Sequence, residues 1–560
     1  VPTGPVSAML WIRVCWLLAW NVPQRAAGAT CQQNVDSTAL LQLKPGDTVS
    51  SDIGYFVWMT DLHGDPYYAT GIRQCRKRSL HALKDQTFGL MGCDPPIALG
   101  WSAASAAQAT EQPKAFLLYT GDFSRHTMNL MPNTHANVSN IIGDVASVFK
   151  AHFPKIPIVM GALGNDDGPQ NYFQTITSDE PANDWFVLVG AKLNSSWSMT
   201  SDAVKQYRYG GYFEARVGNL TLLSITTVIY SVRHQPTQLE EDPFSQFAWL
   251  SSRLKEAANE GRSVWIVGHI PPGIETFGYT QLWHPMYLSR YLEIVQDSLL
   301  GSVIAAQLFG HVHKDEFRIL PNPPPGAGPI LLSSALSPVY YNNPAFKLVK
   351  YCKSTGKLLD LETFFSKVAE QLDWQSGYCL NSTFPGFGAD GLVMEDFLRL
   401  RDKLLLGLED FEKYAKWYTS DYPADLSHLA CKDDDTVDSA RSKLLRRHQY
   451  GCGLLVQNQE DYQRCFDRAI ASISTQHHAA QPMFSVARLL ESIPKEFEDI
   501  ETFRLSKLLR WAEVAKTQEA LEVLNLAYRS LWEELLQKFG PAVERALETG
   551  GSLDSEISGR

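Results

Sequence analysis

Five short clusters of Asp, Asn and His punctuate the first part of the chain: Asp61-Leu-His63, Gly121-Asp122, Gly164-Asn165-Asp166-Asp167, Gly268-His269 and Gly310-His311-Val312-His313. Carboxylates, imidazoles and an amide carbonyl together are donors for divalent metals, so the chemistry open to them is metal chemistry. The first cluster follows Tyr55-Phe-Val-Trp58, an apolar run with no polar face, which predicts a buried strand. In an open α/β sheet, ligands sit in the crevice beyond the C-terminal strand ends, where Asp61 and His63 would fall. A lone Asp-x-His pair reads as a capping aspartate and a surface histidine. Five clusters in order, four of them with a Gly just before the ligand where the chain must turn sharply, do not arise by accident.

The elements that must hold these residues are short apolar runs between about Asp52 and Phe365. The clearest are Ala115–Thr120, Ile156–Met160, Trp185–Val189, Leu220–Ile225, Val264–Val267 and Val303–Phe309. They alternate with segments of helical or loop character, which predicts an α/β layered domain. Pro321-Asn-Pro-Pro-Pro-Gly-Ala-Gly-Pro329 reads as a loop before a final pair of strands. Past about residue 390 the pattern turns helical, with Leu and Trp at three- and four-residue spacing in Phe397–Leu406 and again over 504–539. Nothing catalytic shows in that half, and its Leu stripe reads as core or packing surface.

The chain has 560 residues, 44% of them hydrophobic and 20% charged, with a formal net charge of −11. Those values describe an ordinary globular protein, and no basic stripe supports a general nucleic-acid binder. Leu10–Trp20 is apolar but shorter than the ~20 residues a bilayer span needs. Small residues follow at Arg25-Ala-Ala-Gly-Ala-Thr30, so residues 1–30 read as a signal peptide. Nine Cys occur, and removing Cys15 with the signal leaves an even number without a C-x-x-C zinc pattern. Sequons at Asn137, Asn194, Asn219 and Asn381 agree with a secreted glycoprotein in the extracellular space or the lumen of a lysosome or vacuole.

The strand-end clusters resemble the calcineurin-like metallophosphoesterases, whose pattern is D-x-H, G-D, G-N-H-[DE], G-H and G-H-x-H. The resemblance covers about residues 52–365 and implies a layered β-sandwich flanked by helices, with a mainly helical C-terminal region. It also implies two divalent metals, zinc first, with manganese or iron as alternatives. Asp61 and His63 would bind one, Asp122 would bridge, Asn165 and His269 would hold the second, His311 would join the second and His313 the first. In such a site two cations ~3.5–4 Å apart activate a water that attacks phosphorus. His126, four residues after Asp122, matches a His that the acid sphingomyelinase group uses near the phosphate and leaving group.

Finer detail narrows the branch. Cys75 to Cys93 with Asp94-Pro95-Pro96, Gly310–Phe317, and the stretch with Cys452 and Cys465 resemble acid sphingomyelinase and its phosphodiesterase-like relatives. The resemblance implies disulfides Cys75–Cys93 and Cys452–Cys465; pairing among Cys31, Cys352, Cys379 and Cys431 stays open among three arrangements. Asp61–Tyr68 and the Asp166 that stands where the pattern has His resemble the vacuolar endopolyphosphatases instead. The expected function is therefore hydrolysis of a phosphoanhydride or phosphodiester in either style, on polyphosphate, a phospholipid head group or a nucleotide. Contact with a membrane surface belongs to the same expectation.

Asp166 is the discordant residue. An ionised carboxylate ~4 Å from a phosphoryl oxygen would cost on the order of 4 kcal/mol at an effective dielectric of 20. It would have to turn away, be protonated, or bind a further cation. The alternative function is a degenerate metal- and phosphate-binding protein without turnover. Catalytic candidates are thus His126, Asn165 and Asp166. Arg73, Arg76, Lys77 and Arg78 form a basic cluster, and Tyr67, Tyr68, His234, Trp283 and His284 are further candidates for the cleft. The expected organisation is signal peptide 1–30, lead-in 31–51, catalytic domain 52–380, cysteine-bearing helical region 381–470, amphipathic extension 471–549 and a disordered tail 550–560.

Overall fold

The computed structural model describes residues 52–70, 73–76, 87–177, 183–193, 199–368, 372–388, 391–423 and 437–476. The expected signal peptide and lead-in, Cys31, Cys431, Lys77, Arg78, Asn194, the helix over 504–539 and the tail lie outside these ranges. No helix among the described residues is long and apolar enough to cross a membrane.

The strands, in chain order, are β1 (Ile53–Met59), β2 (Lys114–Tyr119), β3 (Ile158–Met160), β4 (Phe213–Val217), β5 (Leu220–Ser224), β6 (Ser263–Val267) and β7 (Ile274–Glu275). They continue with β8 (Thr280–Gln281), β9 (Ile304–Phe309), β10 (Glu316–Arg318), β11 (Ile330–Leu332), β12 (Ala345–Cys352), β13 (Leu358–Phe365) and β14 (Gln375–Cys379). Two six-stranded sheets result, ordered β14-β13-β12-β1-β2-β3 and β10-β11-β9-β6-β5-β4, with β7 and β8 as a separate hairpin. The sheets meet face to face: Phe56 and Phe116 of the first both pack on Trp265 of the second, at 4.9 and 6.0 Å between ring centroids. All three rings are 0% exposed, and burying each Phe contributes roughly 1.5–3 kcal/mol. This is the α/β layering expected from the alternating runs, in the β-sandwich form that the resemblance implies.

The helices are α1 (Ile97–Ala109), α2 (Thr134–His152), α3 (Asp184–Leu193), α4 (Ser201–Gly210), α5 (Gln246–Glu260) and α6 (Pro285–Val295). In the C-terminal part come α7 (Leu380–Thr383), α8 (Met394–Leu406), α9 (Leu408–Tyr418), α10 (Val437–Gly453) and α11 (Gln459–Gln476). β1, β2 and β3 are mutually parallel, as are β5, β6, β9 and β11. Parallel neighbours need crossovers, and α1, α2, α5 and α6 supply them. The C-terminal ends of β1, β2 and β3 therefore share one edge of their sheet, and those of β6 and β9 share one edge of theirs. Register keeps the first pair level, with Trp58 beside Leu118 and Met59 beside Tyr119.

One strand expectation fails. Trp185–Val189 is part of helix α3, not a strand. Its apolar residues are buried at 185, 186, 189 and 193 while Leu188 is exposed, a helical spacing that a five-residue window hides. Asn183 Oδ1 accepts from Trp185 N–H at 3.1 Å and starts the helix. The proline-rich loop is followed by β11 through β14 rather than by a pair of strands. α8 contains Phe397–Leu406 as expected, and Phe397, Leu400, Tyr414, Tyr418, Tyr450 and Leu454 join the same continuous core as β1.

Cys75–Cys93 and Cys452–Cys465 are bridged. Cys379 is also disulfide-bonded, whereas Cys352 is a free thiol. The expectation that all four remaining cysteines pair is therefore corrected at Cys352, at the end of β12, where the Asp52 carboxylate and Ser354 hydroxyl are its hydrogen-bond partners.

Candidate metal centre

The parallel pairing of β1 with β2 runs on beyond the strands. Asp61 N–H donates to Gly121 O at 3.0 Å, His63 N–H to Asp122 O at 3.1 Å and Gly64 N–H to Phe123 O at 2.8 Å. The first two candidate clusters are thus zipped side by side. Asp61, His63, Asp122, His311 and His313 have φ of 51, 48, 54, 73 and 63°. A non-glycine residue adopts that left-handed region in only a few per cent of cases, and its cost concentrates at functional sites. Two glycines marked as turns serve close approach as well. A Cβ on Gly164 would lie 2.0 Å from Asp122 Oδ1, and one on Gly310 would lie 2.7 Å from Asp61 Oδ2.

Six of the seven proposed ligands fall into two groups that share Asp122. Asp61, His63, Asp122 and His313 have donor atoms mutually within 4.8 Å, and so do Asp122, His269 and His311. Within the first group, His63 Nε2 lies 3.1 Å from His313 Nε2, which in turn lies 3.4 Å from Asp61 Oδ1. Asp122 Oδ2 sits 3.3 Å from His63 Nε2 and 3.1 Å from His269 Nε2. Asn165 Oδ1 is 3.3 Å from His269 Nε2. The second sheet closes on the first when His311 N–H donates to both Asp61 carboxylate oxygens at 3.2 Å.

The donor set fits divalent cations. His63 Nδ1 faces Ser124 O at 2.9 Å and His269 Nδ1 faces Thr120 O at 2.8 Å. Donation there fixes the tautomer and leaves each Nε2 lone pair free for a metal. Burial pushes His63 down to about 4 and His311 down to about 3, so both are neutral and able to ligate near pH 7. His313 is driven well below its usual value by burial, and its Nδ1 has no hydrogen-bond partner. Asp61, Asp122, Asp166 and Asp167 are all 4% exposed or less, and among the described residues none is ion-paired with Lys or Arg. Burial pushes Asp61 up to about 7. His269 is held at about 10 against its burial because Asp122 attracts the proton, a charge that a metal would supply instead.

His126 stands beside this group, its ring stacked on His63 at 4.0 Å between centroids. Its Nδ1 lies 3.0 Å from each Asp94 carboxylate oxygen, and its backbone N–H donates to Asp94 Oδ2 at 2.9 Å. Nε2 is thereby aimed at the cleft, 3.2 Å from the Tyr340 hydroxyl and 3.8 Å from Asp166 Oδ2. Against the burial that opposes it, Asp94 and then Asp166 raise His126 well above its usual value. Asp166 does not turn away. It lines the cleft, accepts from Asn165 Nδ2 at 2.8 Å, and burial raises its pKa well above the carboxylate range.

A cleft of about 1200 Å3 opens over these residues, with His126, Asp122, Asn165, His311 and His313 in its wall. Arg76 also lines it, its guanidinium 4.4 Å above the Tyr340 ring. The other aromatic and histidine candidates do not line it. Trp283 is fully buried core, His234 Nε2 is 2.6 Å from Gln174 O, and His284 caps α6 through Met286 N–H. Tyr68 packs by the Cys75–Cys93 bridge, and the Tyr67 hydroxyl accepts from Asn137 Nδ2. Sequence reasoning missed Asp94, although it follows Cys93 in the motif already noted, and missed Tyr172, whose hydroxyl is 3.5 Å from His311 Nε2. It also gave no role to Asp167, whose carboxylate accepts from Phe123, Ser124 and Gly164 N–H and ties two ligand loops together. Asp65 pairs with Arg125 at 3.0 Å.

No protein-family model matches the chain. Sphingomyelinase phosphodiesterase D of Dictyostelium discoideum is 27% identical over 361 residues, 61% of this chain and 78% of the relative. Cyclic GMP-AMP phosphodiesterase SMPDL3A of Homo sapiens is 27% identical over 400 residues, covering 67% of this chain and 84% of that one. Acid sphingomyelinase-like phosphodiesterase 3b of Mus musculus is 28% identical over 426 residues, 71% and 89% of the two chains. Among solved structures, a dimetal phosphatase from Danio rerio aligns at 12% identity with a TM-score of 0.36, over 58% of this chain and 98% of that one. The motifs at the strand ends and these relatives agree, and the chain is a homologue of the acid sphingomyelinase-like phosphodiesterases.

Proposed function

We propose that the chain is a two-metal hydrolase of phosphodiester or phosphoanhydride bonds. Asp61, His63, His313 and Asp122 would hold one cation, and Asp122, Asn165, His269 and His311 the other. The observation that carries this reading is the pair of ligand groups sharing Asp122, each with its donor atoms within 4.8 Å. When bound, such a pair activates water as a nucleophile and neutralises phosphoryl oxygens. The chain's own work lies beside it. Asp94 holds His126 by Nδ1, so that its Nε2 proton faces the leaving-group oxygen and can be donated as the ester bond breaks. Asp166 Oδ2 borders the same Nε2 at 3.8 Å.

The role that the missing His would have played is in this reading left to His126. The alternative of a binding protein without turnover rested on Asp166, and it is not favoured beside homologues that are phosphodiesterases. The test uses the purified full chain. Elemental analysis should find about two divalent cations per chain, and bis-p-nitrophenyl phosphate should be hydrolysed and protected by chelation. Release of phosphocholine from sphingomyelin and shortening of polyphosphate distinguish the two styles of substrate. Metal-loaded protein that cleaves none of these, nor a dinucleotide phosphodiester, from acid to neutral pH would return the binding role.

A further inference from the structure

Two lysines are buried among the described residues, and only one of them has an acid beside it. Lys347 is paired with Asp315. Lys314, next to His313, is 8% exposed and lines the cleft, and its Nζ donates to Tyr340 O at 2.8 Å. That carbonyl occupies one of three ammonium donors and brings no counter-charge. A desolvated cation left in this state is costly, and an anion arriving in the cleft relieves the cost.

Arg76, from the basic cluster of the sequence, meets the same tyrosine. Its guanidinium lies over the Tyr340 ring, and the Tyr340 hydroxyl is 3.2 Å from His126 Nε2. The backbone of Arg76 is fixed beside the Cys75–Cys93 bridge, where its N–H donates to Gly92 O at 2.9 Å. An aromatic face orients a guanidinium without neutralising it, so the charge and its N–H fork stay available. Arg233 is a third cation in the wall, but it belongs to the other ligand group: it lies 5.7 Å from the Tyr172 ring centroid, and the Tyr172 hydroxyl approaches His311. The acids of the wall are engaged elsewhere. Asp122 and Asp166 face imidazoles, and Glu275 accepts from Phe277 and Gly278 N–H in its own turn. The turn after α9 adds Tyr418, Thr419, Tyr422 and Pro423 to the wall, and no Lys, Arg, Asp or Glu. Asn343 Nδ2 donates to Ser420 O at 2.8 Å and Ser420 Oγ to Ser334 Oγ at 3.0 Å, which holds that turn in place.

We propose that Lys314 and Arg76, joined through Tyr340, form an anion subsite beside His126 that takes a second phosphate group, carried on the leaving-group side of the substrate. The proposal rests on the two-metal hydrolase reading above. The metal ligands serve the phosphate that is cleaved, and these two cations serve a charge that is not. A quaternary ammonium head group would meet two like charges in the same place. Fructose 1,6-bisphosphate and fructose 6-phosphate share one sugar and differ by one phosphate. Their Ki values against bis-p-nitrophenyl phosphate are measured at constant ionic strength on the metal-loaded full chain, in wild type, Lys314→Met, Arg76→Gln and Arg233→Gln. Ki does not depend on the amount of folded enzyme, so partial unfolding of a variant does not disturb the comparison.

In wild type the bisphosphate should bind about tenfold more tightly than the monophosphate, the scale of a charge-assisted hydrogen bond. Lys314→Met and Arg76→Gln should each cut that preference to about threefold or less, and Arg233→Gln should retain it. Equal Ki values in wild type, or a preference that survives in Lys314→Met or in Arg76→Gln, overturns the subsite. A preference that falls as far in Arg233→Gln also overturns it, because the general charge of the cleft would then be the cause. In each of these cases hydrolysis of bis-p-nitrophenyl phosphate leaves the hydrolase reading standing. No hydrolysis by the metal-loaded wild type overturns that reading and the subsite with it.

Discussion

Two sets of buried carboxylates are reached by the same stretch around His313, and they are balanced in opposite ways. Asp61, Asp122 and Asp166 have imidazoles as their ion-pair partners, and among the described residues no Lys or Arg is ion-paired with them. Asp315 and Glu316, only two and three residues beyond His313, are 8% and 2% exposed and carry their own cations. Lys347 Nζ pairs with Asp315, and Arg318 Nη2 lies 2.7 Å from Glu316 Oε1. Thr276 and Tyr450 hydroxyls complete Glu316 at 2.6 and 3.2 Å. A buried acid with its own Lys or Arg is architecture. A buried acid whose only ion-pair partners are imidazoles leaves room for a cation from outside, because an imidazole can give up its proton and the desolvated charge must still be compensated.

The contrast is broken or sharpened most forcefully at Asp122. Asp122→Ala should lower kcat/KM by about 10^3-fold or more, since the metals supply several kcal/mol of transition-state stabilisation. Elemental analysis should show the loss of bound metal; a variant that keeps both metals and its activity would remove the distinction between the two sets. His126→Ala tests the wall beside the centre. Its kcat should fall by about 10^2 to 10^4-fold while metal content stays at the wild-type level, separating proton donation from metal binding.

On the architectural side, Lys347→Met should leave Asp315 buried without its cation. Unfolding in urea should then show a loss of about 3–5 kcal/mol, with metal content per folded chain unchanged. If this variant instead sheds metal, the two sets are one system. The smallest effect concerns pH. His126 is raised well above its usual value by Asp94 and Asp166, so its proton is present below the folded pKa and lost as pH rises through it. Its stabilising share follows the same sign, complete below the unfolded value near 6.5 and fading at higher pH. Asp94→Asn should move the basic limb of the kcat/KM profile to lower pH. An unmoved limb would mean that Asp94 does not govern the proton on His126.

Much of the centre was legible because its ligands lie on short local motifs. A Gly, a turn and an Asp or His at a strand end are fixed by neighbours in sequence; six of the seven proposed ligands lie in the two groups around Asp122, and Asn165 Oδ1 lies 3.3 Å from His269 Nε2. Trp185–Val189 was misread because five apolar residues fit a strand and a buried helix equally well, and only the wider burial pattern of α3 separates them. Asp94 carried no signal of its own, since its meaning lies in a His thirty-two positions later. The C-terminal turn was invisible as part of the cleft, because Tyr422 acquires that place only through the bonds from Asn343 and Ser334.

The sequence by itself determined which residues are candidates for metal binding, which strands carry them and which kind of protein the chain resembles, since composition and spacing along a chain decide local geometry. Only the tertiary structure decided that His63 and His313, 250 positions apart, place their Nε2 atoms 3.1 Å from one another. It also decided that Asp166 faces His126 and that a helix end from the C-terminal region borders the cleft. The physical reason is the same in each case. Charge compensation and stacking act over a few ångströms of space, and proximity in space between distant segments is set by how two sheets and their helices pack.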